Sequence, residues 1–207
     1  MPSNEPKPDL VQSRTRESQD EARLADQELM ERVSQGDAAA FQQLVASEIN
    51  RVLSVARRML GGDTEAEDVA QDVFLRLWRQ ADRWEGGRAK VSTWLYRVTV
   101  NACIDRKRAR REETVAEMPV LASQATQDQT LEQEDLQRYM DGALQALPER
   151  QRMALVLFHY EDLSMSAVSE IMDVSVEAVE SLLGRGRRAL KKKLDSHWKS
   201  FLPQILD

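Results

Sequence analysis

Cysteine is nearly missing from this sequence. Cys103 stands alone, so no intramolecular disulfide can form, and a reducing cytoplasm is the expected location. Histidine is almost as scarce: His159 and His197 are the only two, no metal-ligand spacing is present, and no glycine-rich loop could cradle a phosphate. Hydrolase and transferase chemistry is therefore not expected, nor is any metal or cofactor. No run comes near the ~20 apolar residues that a membrane span requires, and the N-terminus lacks the apolar stretch of a signal peptide, so no membrane contact is expected. Eight glycines and six prolines in 207 residues, with almost no β-branched alternation, leave little material for turns and strands. The expected fold class is all-α.

Charge is plentiful and sorted into blocks. The formal net charge of −6 speaks against a free-standing nucleic-acid binder. Yet residues 106–111 read RKRARR, with five cations, and residues 185–193 read RGRRALKKK, with six cations and no acid. Residues 112–137 hold seven acids and no base. Complementing a helix dipole is worth roughly a few tenths of a kcal/mol per charge and accounts for one or two such cations; five or six exceed it.

Apolar periodicity divides the chain into segments. Residues 1–24 are polar, rich in Pro, Ser and Gln, and read as a disordered tail. Helical patterns fill 25–111. Leu29, Val33, Phe41, Leu44 and Val45 lead into a long stripe of Ile49, Val52, Leu53, Ala56 and Leu60, which Gly61-Gly62 ends. Asp63 or Thr64 can cap the next helix, Arg83 to Ala89 reads as a loop, and Ser92 or Thr93 opens a helix running into the first basic block. Residues 112–130 read as an acidic linker. A second helical block fills 131–195, with Leu136, Met140, Ala143, Leu144 and Leu147 on one face and Pro148 opening the following helix. Residues 196–207 form a tail whose Trp198 and Phe201 could pack back on that block. Two helical domains joined by an extended linker are expected.

Within the second block, Ser164 can cap a short helix with Ala167, Val168 and Ile171 inward. Asp173 suits a left-handed turn, and Ser175 caps a second helix with Val179, Leu182, Leu183, Gly186 and Leu190 inward. Two short helices joined by a tight turn, the second ending in cations, match the helix-turn-helix design. An ordinary helical hairpin with a solvated basic end satisfies the same spacing. The whole stretch LPERQRMALVLFHYEDLSMSAVSEIMDVSVEAVESLLGRGRRAL resembles domain 4 of extracytoplasmic-function (ECF) sigma factors, in its Leu-Pro-x-x-x-Arg opening, its serine-started first helix and its arginine-ended second. The resemblance implies that Val176, Glu177, Glu180, Ser181, Arg185 and Arg188 face the promoter −35 element. Ala178, Glu180 and Leu182 stand where relatives often carry Thr, Lys and Arg; an acid there could accept from a cytosine amino group.

In the first block, AEDVAQDVFLRLWRQ places Asp68, Gln71 and Asp72 on one helical face, bordered by Phe74 and Trp78. Such a stripe suits docking onto a basic partner, and equally a solvated face with acids chosen for the helix dipole. The motif is similar to region 2.2 of ECF sigma factors, which implies that Asp68, Gln71, Asp72 and Trp78 bind the β′ coiled coil of core RNA polymerase. The next motif, VSTWLYRVTVNACIDRKRARR, is similar to regions 2.3 and 2.4. That resemblance assigns Trp84, Arg88, Lys90, Arg97 and Asn101 to the −10 element, with Arg106, Arg108, Arg110 and Arg111 tracking phosphates. An amide such as Asn101 offers both a donor and an acceptor to an unstacked base. Trp94 and Leu95 lie on the inward stripe and are expected in the core. Val91 sits where many relatives have an aromatic.

The expectation is a non-enzymatic sigma factor. Its partners would be core polymerase through β′ and β, promoter DNA, and an anti-sigma factor implied by the resemblance. An autonomous helix-turn-helix regulator, with the first block as a dimerisation or sensor domain, is the alternative; it predicts tight DNA binding by the isolated chain and leaves WRQADRW and a second basic strip in the first block without a purpose.

Overall fold

The structure, a computed structural model, describes residues 26–84, 90–116 and 140–205, with backbone only at 111, 113–116 and beyond 194. Among these residues every regular element is helical. A first helix, α1 (26–34), turns through Gly36, whose φ of +83° only glycine adopts at little cost, into α2 (Ala38–Leu60). Asp37 caps α2 by accepting from the amides of Ala39 and Ala40 at 2.9 and 3.1 Å, and those bonds together with Arg32 hold its carboxyl below the usual range. Gly61, left-handed at φ +84°, closes α2 as the glycine pair suggests, and α3 (Asp63–Gln80) follows. A short 3₁₀ turn (Ala81–Arg83) leads towards α4 (Val91–Ala116). Helices α2, α3 and α4 pack mutually around Leu44, Val52, Met59, Val69, Val73, Leu77 and Leu95, all nearly inaccessible.

The second block opens with α5 (140–145) and α6 (Glu149–Leu155), which widens into a π turn (Val156–Tyr160). Next come α7 (Met165–Met172), capped by Ser164, and α8 (Val176–Ile205). Asp173 is left-handed at φ +52°, the turn expected between the two helices. Helix α8 packs against α6 at the buried Gly186, where a Cβ would stand 2.9 Å from a methyl of Leu155.

Two expected boundaries move. Helix α4 continues through Ala116, five residues into the stretch read as linker: Glu112 and Glu113 favour helix, and no proline interrupts before Pro119. Helix α8 likewise absorbs the expected tail as far as Ile205. The packing expected of Trp198 and Phe201, the 1–24 tail, most of the linker, Leu136 and Arg88 lie outside what is described, as does the side chain of Arg111. The two blocks touch, and their buried side chains form one contiguous apolar cluster.

Candidate docking and nucleic-acid surfaces

Helix α3 buries Ala66, Val69, Ala70, Val73, Phe74 and Leu77 and leaves Asp68, Gln71 and Asp72 exposed on its other side. Trp78 keeps 37% of its surface and sets its ring edge-on to Phe41 of α2, centroids 4.9 Å apart. Beside this stripe runs an apolar groove of about 380 Å³ walled by Phe41, Val45, Ile49, Leu53, Phe74 and Leu75. Leu75, 42% exposed, was not singled out from sequence. Its signal was there: it is a leucine on the polar side of α3, off the inward stripe.

Helix α4 separates residues that the sequence groups together. At 100° per residue Arg97, Asn101 and Arg108 fall within about 40° of one another, and all three are exposed. Lys90, just before the helix, is also exposed. Arg106 and Arg110 face the opposite way and pair with α3: Arg106 Nη2 lies 2.5 Å from Asp68, and Arg110 Nη1 lies 3.3 Å from Glu65. One expected docking acid and one expected phosphate contact are thus partners. Exposed pairs of this kind contribute roughly 0–1 kcal/mol, so they yield readily to a stronger ligand. Trp84 and Trp94 are half-buried and meet edge-on at 6.1 Å, while Val91 and Leu95 are in the core. Cys103 is fully buried, and burial pushes its thiol up to about 12.

On α8, Val176, Glu177, Glu180, Ser181, Arg185 and Arg188 are all exposed and Val179, Leu182 and Leu183 are buried, as the periodicity implies. A hollow of about 440 Å³ opens along this face between Met165, Glu177, Glu180, Ser181 and Arg188. Glu177 is held ionised by its own backbone amide and by Ser175. Arg187, within the second basic run, turns instead to the π turn: its Nε donates to His159 Nε2 at 3.1 Å, and its guanidinium lies over Phe158. His159 therefore accepts as a neutral imidazole, and burial followed by the Arg187 charge lowers its pKa.

The two helical blocks that carry these faces match known sequence families. Residues 44–113 match the model for Sigma-70 region 2, and residues 137–190 match that for Sigma-70 region 4. The ECF RNA polymerase sigma factor SigW of Bacillus subtilis is 32% identical over 177 residues, covering 80% of this chain and 94% of that protein. This chain belongs to the ECF sigma factor family. The sigma-E factor of Escherichia coli is 31% identical over 187 residues, 83% of this chain and 95% of its own. Among solved structures, that of CnrH in complex with the cytosolic domain of CnrY aligns with a TM-score of 0.65 at 27% identity, covering 83% of this chain and 98% of CnrH. As a sigma factor, the protein directs promoter-specific initiation by RNA polymerase. The helix-turn-helix of this sigma factor is α7–α8, and no helix among its described residues is long and apolar enough to cross a membrane.

Proposed function

We propose that this sigma factor, in the cytoplasm, reads the −10 element with its first block (25–111) and the −35 element with its second (131–195). The observation that carries the first half is the common face of Arg97, Asn101 and Arg108 on α4. Cations flanking an amide suit a base lifted from its stack: the amide pairs with the base edge while the arginines hold the neighbouring phosphates. Trp84 and Lys90 border this face, while Arg106 and Arg110, on the opposite side of α4, take up phosphates by exchanging their acids for them. The stripe of Asp68, Gln71 and Asp72, with Trp78 and the groove beside Leu75, forms the docking surface for core polymerase, apolar in its middle and acidic at its rim. The exposed face of α8 from Val176 to Arg188 enters the major groove, with Glu180 selecting against bases that offer only acceptors. The solved complex of CnrH with the cytosolic domain of CnrY supports a protein partner for this chain as well, the expected anti-sigma factor.

The test is run-off transcription with bacterial core polymerase, which should yield promoter-specific products only when the protein is added. Asn101→Ala should leave core binding intact and reduce permanganate-sensitive opening roughly tenfold, the loss of one good base contact. Opening at the wild-type level would remove Asn101 from the base pocket.

A further inference from the structure

Arg187 lies in the second basic run and stands apart from the residues assigned to the −35 element. Helical phase puts it among them. Seven residues turn a helix through about 700°, so Arg187 stands within roughly 20° of Glu180 and about two turns further along α8. It also lines the hollow that Glu177, Glu180, Ser181 and Arg188 open on this face. Cations further along a recognition helix than its base-reading residues meet phosphates. Arg187 has the residue type and the place for that contact, but its side chain is turned aside.

The π turn holds it there. Arg187 Nε donates to His159 Nε2 at 3.1 Å, and the guanidinium lies over the Phe158 ring, 5.7 Å from its centroid. Phe158 and His159 are themselves edge-on at 5.0 Å, so the two rings form a shelf on which the arginine rests. Arg187 and His159 are both exposed, which leaves the shelf open to solvent protons. The bond exists only while Nε2 keeps its lone pair. A protonated imidazole offers two N–H donors and no acceptor, and it sets a second cation against the guanidinium. We propose that Arg187 is a phosphate contact of the −35 face controlled by His159: held on the neutral imidazole, and released to DNA when the ring takes a proton. The inference rests on the assignment of α8 to the −35 element.

The charges around the ring fix the direction of the effect. The π turn packs against α2, α6, α7 and α8. Burial and then Arg187 of α8 hold the imidazole below its usual pKa, while Asp162, just past the turn, pulls the other way. Glu161, although nearby in the chain, is engaged elsewhere, accepting from Ser54 of α2 at 2.7 Å and from Tyr96 of α4 at 2.8 Å. Of the other charges on these elements, Glu170 of α7 faces Arg97, and Arg58 of α2 lies over Tyr160. Moving Arg187 onto a phosphate takes the opposing cation from the ring and brings an anion nearer. The imidazole therefore holds its proton more tightly on DNA than in the free protein. Binding takes up a proton, so affinity rises as pH falls from the ring's pKa on DNA to its lower pKa off DNA.

The test is binding of holoenzyme, reconstituted with wild-type or variant protein, to a duplex promoter fragment identified by run-off transcription. It is measured at about pH 7.5 and about pH 5.5, either side of the imidazole range. His159→Gln keeps a neutral acceptor at every pH. The ratio of wild-type to His159→Gln affinity cancels the titration of the polymerase, of Glu177 and Glu180, and of His197. That ratio should stand near one at the higher pH and rise roughly threefold at the lower, the size of one exposed contact. The salt dependence of wild-type binding should steepen with it by about one counterion. His159→Ala, which removes the acceptor, should exceed His159→Gln by the same factor at both pH values. In an Arg187→Gln background the forms differing at position 159 should bind alike. A ratio flat in pH, an unchanged salt slope, or a pH dependence that survives Arg187→Gln would each overturn the proposal. A fragment with a scrambled −35 element separates the two ideas. If it binds as tightly as the intact fragment, the −35 assignment falls; if it binds more weakly while the ratio stays flat, only the control by His159 falls.

Discussion

Arg152 brings a cationic side chain into a site where 4% of its surface remains, and its hydrogen bonds go to the carbonyls of Met59 and Leu147 and to Gln145 rather than to a carboxylate. Its place is explained by the end of α2, where unpaired carbonyls concentrate partial negative charge. Lys107, donating to Gln145 at 2.8 Å, lies close by. Burial and then the Arg152 charge depress its ammonium to about 8, against the opposing pull of Glu149, Cys103 and Glu65. Below pH 8 Lys107 is protonated folded or unfolded. From pH 8 to 10.5 only the unfolded chain keeps the proton, so its contribution to stability rises with pH over that window. Cys103 works the other way from pH 9 to 12, because its folded thiol resists ionisation. Comparing urea midpoints of wild type and Lys107→Met isolates the lysine: the difference should change steadily in favour of wild type from pH 8 to 10 and stay flat from pH 6 to 7.5. Cys103 itself should react with a thiol reagent only as fast as the chain unfolds, which fits a packing role; rapid labelling of the native protein would restore a redox role.

At the scale of elements, the helix-turn-helix depends on its caps. Ser175 Oγ accepts from the Ala178 amide at 3.2 Å at the start of α8, the helix assigned to the −35 element. Ser175→Ala should cost about 1 kcal/mol of stability by denaturant titration and fray the end that meets the bases, weakening −35 binding more than core binding. Ser164, Asp173 and Ser175 were all legible in the sequence, because caps and left-handed turns are set by residues a few positions apart. So was the division of α8 into buried and exposed faces. The two faces of α4 were less so: RKRARR looks like one basic patch until helical phase sends Arg106 and Arg110 towards Asp68 and Glu65. The π turn at Val156–Tyr160 left no signal in an apolar run, and Glu161 looked like any solvated acid. Its partners lie 107 and 65 residues away, and separations of that order are invisible to local pattern.

At the scale of the whole molecule, the segment between the blocks sets how far apart they can reach on a promoter. From Ala116 at the end of α4 to Met140, the first described residue of α5, there are 24 peptide steps, each spanning at most about 3.3–3.6 Å, so the chain bridges at most about 80 Å. Adding a helical block of roughly 10 Å radius at either end brings the roughly 85 Å between element centres, about 25 base pairs at about 3.4 Å each, within range. Little is left over. Removing residues 120–131 leaves 12 steps and a reach of about 40 Å, too short for both elements. The shortened chain should therefore keep its thermal midpoint and still bind core polymerase through α3. It should lose run-off transcription from promoters that need both elements. Returning 12 Gly and Ser residues in place of the deleted segment should restore transcription if reach alone matters. Failure of that replacement would show that the acids of the segment, and not only its length, act in the polymerase.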